Sequence, residues 1–303
     1  MNAQDAVRRA YINHTIIPAF NIPYLPMVKP VAEAIRDEDS IAMIQVARLE
    51  WEKFASQSLE AVAEEYFRHC YPDYTLLHLD HVPAIDEDLK AVDFLPIIER
   101  AIRAGYQSVM VDGSRLSLDD NIAVTKQTAE CAHRAGVAVE AELGAVAGHE
   151  SGGIGMSYEE LFRSRKGFTK LDEAARFVRE SGCDWLSVAV GSIHGAIAGS
   201  LRDQKKPEAR LDIDHIIALQ EATNHLPLVL HGGSGIRQEY ILAAVQNGIA
   251  KINVGTDIRQ PYEAALRERQ DVAFAQEQVY RKTRAIIHDF LQTTGARTLL
   301  YGA

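Results

Sequence analysis

Eight short apolar, β-rich runs alternate with segments of helical period along almost the whole chain, which predicts an α/β fold, a parallel TIM (β/α)8 barrel. Six of the runs also end in residues able to hold a metal, move a proton or bind a phosphate. These ends are Leu-His78-Leu-Asp80-His81, Val-Met-Val-Asp112-Gly-Ser, Val-Glu140-Ala-Glu142-Leu-Gly, Ser192-Ile-His194-Gly195, Val-Leu-His231-Gly-Gly-Ser234-Gly and Lys251-Ile-Asn253-Val-Gly255-Thr-Asp257. Scattered polar residues would not recur at one end of successive strands. A site at the barrel mouth is therefore expected, and with it a metal-dependent enzyme.

The strands are expected at Ile16–Asn21, Ile41–Ala47, Thr75–Leu79, Ser108–Asp112, Ala138–Leu143, Trp185–Val190, Leu228–Leu230 and Ile249–Val254. Between them, helices fit Leu118–Ala135, Leu171–Ser181 and Glu239–Asn247, each followed by a glycine where a C-terminal cap belongs. Two connections, 81–95 and 144–169, exceed what a barrel turn needs, and the second contains a Gly-rich stretch from Gly148 that cannot pack a core. From Thr256 to Ala303 the pattern reads as one long helix or a broken one, apolar on one side, covering the barrel or another subunit. Residues 1–303 are read as a single barrel domain that ends in this helical segment, 257–303.

With 47% hydrophobic and 24% charged residues, the composition is that of an ordinary globular protein with a large core. No apolar run reaches transmembrane length, and the first residues lack the apolar stretch of a signal peptide, so a cytoplasmic protein is expected. Cys70, Cys131 and Cys183 lie far apart and read as reduced thiols. A net charge of −10 argues against nucleic acid or anionic membrane as partner. A small-molecule substrate and a homodimer or homotetramer are expected instead.

Zinc takes imidazole nitrogen readily, and a catalytic site uses three protein ligands while leaving room for substrate. His81, His194 and His231, at the same end of three strands, could supply them. Neighbouring side chains of an extended strand point to opposite faces, but the chain should turn at the strand terminus, letting one of Asp80 and His81 bind metal while the other faces substrate. Asp80 then suits acid/base work, or else orients a histidine. Glu140 and Glu142 share one strand face, and if that face is internal a metal, a lysine or a hydrogen-bond network must neutralise them. Asp112 could join as their partner or as an alternative ligand. The glycines after His231 and the Asn253–Asp257 strand end, each before a helix, make two adjacent anion-binding turns.

Pro18-Ala-Phe-Asn21, His78-Leu-Asp-His81, Ser108-Val-Met-Val-Asp-Gly-Ser114, Val139-Glu-Ala-Glu-Leu-Gly144, His194-Gly195, Leu228-Val-Leu-His-Gly-Gly-Ser-Gly235 and Lys251-Ile-Asn-Val-Gly-Thr-Asp257 together resemble class II, zinc-dependent ketose-bisphosphate aldolases, which include the fructose- and tagatose-bisphosphate enzymes. The resemblance implies that His81, His194 and His231 bind Zn2+, or Co2+, Fe2+ or Mn2+ in its place. It makes Asp80 the base for the C4 hydroxyl proton and assigns Asp112 and Glu142 to a second metal position. Glu150 would exchange a proton with the three-carbon ketone fragment. Asn21, Gly195, Gly232, Gly233, Ser234, Asn253, Val254, Gly255 and Thr256 would contact dihydroxyacetone phosphate, with a monovalent cation (Na+ or K+) nearby.

Several positions depart from the family pattern. Ala47 stands where the family commonly has serine, which brings Arg48 near the substrate side, as a substrate contact or in an ion pair with Glu50 or Glu52. Ala196-Ile-Ala198 follows Gly195 where a basic residue is usual, and His149 precedes Glu150. An extra stretch, Val82 to Asp93, follows His81, and no Asp-Pro-Arg element occurs near the C-terminus. All of these concern the half of the site that would hold the aldehyde, where Arg48 or Arg115 could read a different anion. The expected reaction is cleavage of a ketose 1-phosphate or 1,6-bisphosphate to dihydroxyacetone phosphate and an aldehyde, the alternative being tagatose bisphosphate or a carboxylated or sulfonated sugar phosphate. A zinc hydrolase and a non-catalytic barrel are the remaining readings.

Overall fold

The computed structural model describes residues 1–144, 158–192 and 209–302. Eight strands, β1 (Ile17–Asn21), β2 (Ala42–Ala47), β3 (Thr75–Pro83), β4 (Ser108–Asp112), β5 (Ala138–Leu143), β6 (Trp185–Val188), β7 (Leu228–Leu230) and β8 (Ile249–Val254), pair in sequence order. All pairs are parallel, and β1 pairs with β8, so the sheet closes as the alternation of strands and helices predicted.

The helices are α1 (Ala3–Ile12), α2 (Val28–Asp37), α3 (Arg48–Lys53), α4 (Leu59–His69), α5 (Phe94–Arg103), α6 (Leu118–His133) and α7 (Tyr158–Ser164) in the first half. They continue as α8 (Leu171–Ser181), α9 (Ile213–Ala222), α10 (Gln238–Gln246), α11 (Thr256–Arg269), α12 (Val272–Ala285) and α13 (Ala296–Tyr301). Gly182 ends α8 in the left-handed conformation at φ 78°, which costs a glycine nothing. The C-terminal segment is broken twice: Gln270 adopts a left-handed φ between α11 and α12, and residues 291–295 separate α13 from the π-type turn Ile286–Phe290 that continues α12. Its α12 packs on α2 at the barrel's outside.

Alternation along the strands divides the core in two. Phe20, Ile44, Leu77, Val139, Leu186 and Leu230 face the helices, whereas Ile17, Met43, Leu76, Ala138, Trp185 and Val229 fill the interior. The interior is apolar only in its lower part, which α1 closes with Ala3, Ala6, Val7 and Ala10. Further along β2, β3, β5 and β8 the inward positions are polar: Gln45, His78, Glu140 and Lys251 are all fully buried. From α13, Leu300 joins the apolar plug, and its carbonyl accepts from Arg9 Nη1 at 2.9 Å.

Four strand boundaries differ from those read in the sequence, β1 and β2 by starting one residue later at Ile17 and Ala42. β3 runs on to Pro83 because a register shift between Leu79 and Val82 keeps it paired with β4. β6 stops at Val188 because Thr169 takes over the backbone of Ala189, accepting its N–H at Oγ1 and donating its own N–H to its carbonyl. Away from the mouth, Phe177 on α8 is fully buried in the outer core layer. Phe177→Ala is expected to cost about 3–5 kcal/mol in urea unfolding; a loss below about 1 kcal/mol would mean that α8 contributes little to holding the barrel.

Candidate active site

The bulge in β3 resolves the geometry of Asp80 and His81. The strand does not turn at its end, as expected from the sequence; one extra residue between Leu79 and Val82 lets two neighbouring side chains reach the mouth together. Asp80 is 2% exposed and is gripped from two sides. Asn21 Nδ2 donates to Oδ2 at 2.8 Å, and Asn253 Nδ2 donates to Oδ1 at 2.9 Å. Burial pushes its pKa up, but the charges of His81, Lys251 and His231 outweigh that and hold it at about 2. The two asparagines, expected as substrate contacts, are here the clamps of the carboxylate, and Gln45 Nε2 holds Asn21 in turn at 2.8 Å.

His81 and His231 meet edge to face, ring centroids 4.6 Å apart. Asp112 Oδ2 lies 3.3 Å from His81 Nδ1, and Glu142 Oε2 lies 3.9 Å from that nitrogen and 3.0 Å from His231 Nδ1. Glu142 Oε2 is buried without an aligned hydrogen bond, so a carboxylate oxygen faces two imidazole nitrogens. Burial disfavours a charged His81, yet Asp80, Asp112 and Glu142 outweigh it and raise its pKa to about 10. A field that favours a proton there favours a divalent cation more strongly. Two sets, Asp80 with His81 and His231, and His81 with Asp112 and Glu142, each bring one donor atom per residue within 4.8 Å of one another, so this chemistry fits a metal. His194, Gly195 and Glu150 lie outside the described residues.

Glu140 is neutralised by a lysine, one of the three means anticipated. Lys251 Nζ sits 2.9 Å from Oε2 and 3.2 Å from Oε1; Trp185 Nε1 donates to Oε2 at 2.6 Å, and His231 Nε2 is 2.8 Å from Oε1. The last contact fixes which nitrogen of His231 points to Glu142. Lys251 also donates to Asn253 Oδ1 at 2.6 Å, so Glu140 and Asp80 are linked through two residues of β8. Lys251, Gln45 and Trp185 received no role from the sequence. Their signal was a polar or indole side chain at an inward position of an apolar strand.

At the ends of β7 and β8 the two glycine turns come side by side, joined by Ser234 Oγ donating to Asp257 Oδ2 at 2.5 Å. A Cβ on Gly233 would lie 2.8 Å from Ile252 Cδ1 and 3.1 Å from the carbonyl of Asn253, so the backbones approach closely only because it is glycine. Gly232 has φ 70°, and Gly255 leads directly into α11 at Thr256, whose first N–H groups are left for an anion.

The opposite flank is built by side chains. Arg48 Nη2 pairs with Glu52 Oε1 at 2.7 Å and Nη1 lies 3.9 Å from Asp86 Oδ2, while Arg115 Nη1 donates to the Asp86 carbonyl. Of the two carboxylates considered for Arg48, Glu52 is its partner and Glu50 is not. Glu50 turns inward, accepting from Ala47 N–H at 2.8 Å and lying 3.4 Å from Asn21 Nδ2.

Such a mouth on a closed (β/α)8 barrel defines a TIM-barrel enzyme with a metal-competent centre. Over residues 1–297 the chain matches the model for fructose-bisphosphate aldolase class-II, and it belongs to that family of carbon–carbon lyases. It is 32% identical over 270 residues, 88% of this chain and 84% of the relative, to a 6-phospho-5-dehydro-2-deoxy-D-gluconate aldolase of Halalkalibacterium halodurans. A fructose-bisphosphate aldolase of Streptococcus pneumoniae is 38% identical over 183 residues, 60% of this chain and 57% of the relative. The crystal structure of the YdjI aldolase of Escherichia coli K12 superposes with a TM-score of 0.76 at 26% identity, covering 97% of this chain and 98% of that one. Among the described residues, no helix is long and apolar enough to cross a membrane.

Burial pushes Glu50 from the ordinary 4.5 up to about 8 against the Ala47 hydrogen bond, and the charge of Asp80 adds to the rise. The native state then keeps a proton that the unfolded chain loses near 4.5, so this stabilisation is complete below that pH and lost as pH rises through about 8. Glu50→Gln, which cannot ionise, should gain on the wild type in urea unfolding between about pH 5 and about pH 9, by a few kcal/mol at the upper end. Parallel pH profiles would show that the carboxyl is ionised throughout.

Proposed function

We propose that this protein is a metal-dependent aldolase that reversibly cleaves a ketose 1-phosphate or 1,6-bisphosphate to dihydroxyacetone phosphate and an aldehyde. The observation that carries the reading is Asp80, buried, ionised and clamped by Asn21 and Asn253 beside the His81 and His231 imidazoles. A carboxylate so held can take the C4 hydroxyl proton as the C3–C4 bond breaks, and return it in the condensation direction. His81 and His231, with His194, would hold Zn2+ or another divalent ion, with Asp112 and Glu142 serving a second position. Bound there, the metal supplies an electrophile for the ketone oxygen of the three-carbon fragment and offsets the charge that develops on it.

Gly232, Gly233, Ser234 and the run Asn253 to Thr256, with Gly195, would cradle the phosphate and a monovalent cation, consistent with the backbone N–H groups left at the start of α11. Glu150 would return a proton to the three-carbon fragment. The relatives' names differ in the sugar that is cleaved, so the distal group is the variable part of the substrate; tagatose bisphosphate and carboxylated or sulfonated sugar phosphates are the alternatives. We read the protein as a cytoplasmic homo-oligomer acting in carbohydrate metabolism.

A coupled assay for dihydroxyacetone phosphate across a panel of ketose phosphates, with and without chelator, tests this. Cleavage should disappear with chelator and return with Zn2+, and Asp80→Asn should lower kcat by about 10²–10⁴-fold. Chelator-resistant cleavage, or an Asp80→Asn enzyme of wild-type rate, would refute it.

A further inference from the structure

The reaction outlined above gives no part to Lys251, although this side chain is fully buried inside the barrel. Burying an ammonium group is costly, and neutralising Glu140 does not account for every contact it makes. The same carboxylate is also bonded by Trp185 Nε1 at Oε2 and by His231 Nε2 at Oε1. A buried ion pair can moreover often be replaced by apolar side chains without loss of stability. The shortest contact of Lys251 lies elsewhere: Nζ donates to Asn253 Oδ1 at 2.6 Å, against 2.9 and 3.2 Å to the Glu140 oxygens.

Lys251 and Asn253 stand two residues apart on β8 and share one face of it. An ammonium group only donates, and an ionised carboxylate only accepts. Asn253 lies between the two, its Nδ2 donating to Asp80 Oδ1 at 2.9 Å. One orientation of the amide satisfies both neighbours; turned over, it would set an NH2 group against the ammonium and a carbonyl oxygen against the carboxylate. The clamp on the other oxygen of Asp80 lacks this constraint. There Asn21 is held by Gln45, an amide that can itself turn over and whose Oε1 is buried without a hydrogen bond.

Resting on the aldolase reading, we propose that Lys251 is a positioning residue for proton transfer at Asp80: by locking the amide of Asn253 it keeps an N–H on Oδ1 and holds the carboxylate in the orientation that meets the C4 hydroxyl. Without the ammonium group Asn253 is free to turn over, and Asp80 keeps only the Asn21 clamp. A misplacement of about 1 Å at a reacting group can cost about 10²-fold in rate.

Two reactions of the metal-loaded enzyme separate the roles: cleavage of the ketose phosphate turned over fastest in the panel above, and solvent proton exchange into dihydroxyacetone phosphate, which makes no use of a C4 hydroxyl. Lys251→Met should lower kcat for cleavage at least about ten-fold with KM little changed. Exchange at saturating dihydroxyacetone phosphate should fall less than about three-fold. Glu140→Gln with Lys251→Met, compared with Glu140→Gln alone, should show the same split and leaves no unpaired charge if the single variant does not fold. Zn2+ affinity, read by competition with a chelating dye, should not differ between those two; a difference would place the effect at His231 and refute the assignment. In an Asn253→Ala background Lys251→Met should cost little more, because the two residues act through one contact. A purely structural role would slow cleavage and exchange by one factor and would persist without the Asn253 amide, and either result would overturn the proposal. A wild type without exchange would strike the aldolase reading itself; exchange with undiminished cleavage in Lys251→Met would strike only Lys251.

Discussion

The Glu140 carboxylate is the constraint around which the barrel interior is arranged. It is fully buried, one step above the apolar plug formed by Trp185, Met43 and Val229, where an unpaired charge would cost several kcal/mol. Burial works against its charge, but Lys251 above all, with the His231 hydrogen bond and His78, holds its pKa well below the usual carboxylate range. Each partner comes from a different strand: Trp185 from β6, His231 from the end of β7 and Lys251 from β8. Satisfying one carboxylate therefore sets three strands against β5.

From that point order passes upward to the chemistry. Lys251 holds Asn253, Asn253 holds Asp80, and Asn21, itself held by Gln45, closes the other side. Each link is a side chain with restricted rotamers inside a closed sheet, so Asp80 has little freedom to turn from the mouth. His231 is oriented from below by Glu140, which leaves Nδ1 directed at Glu142. The bulge in β3 adds the one feature a regular strand cannot provide, consecutive side chains both delivered to the site.

How much of this could be read in the sequence follows from the same geometry. Strand cores and the identity of their polar ends were legible, because inward positions repeat every second residue and a polar residue among Val, Ile and Leu stands out. The β3 bulge was not, since register depends on the neighbouring strand and leaves no local mark in Leu-His-Leu-Asp-His. Lys251 was visible as a charged residue in an apolar strand, but its partner lies 111 positions away. Glu50 was hidden by its neighbours: in Arg48-Leu-Glu50-Trp-Glu52 either glutamate could pair with the arginine, and only the start of α3 at the end of β2 decides which turns inward. The first helix, α1, gave too short an apolar pattern to identify as a barrel plug.

The two flanks of the mouth differ in what builds them, and this bears on how one barrel can serve several substrates. The flank at β7 and β8 is glycine and backbone N–H, where a side chain would collide, as at Gly233 with Ile252, and where recognition of an anion does not depend on residue type. The flank at α3 and the loop after β3 is side chain throughout: Arg48, Glu50, Glu52, Asp86 and Arg115. Substitutions there alter charge and size without disturbing the Glu140 network that holds the barrel. A fold of this kind can keep its backbone flank constant while the side-chain flank changes.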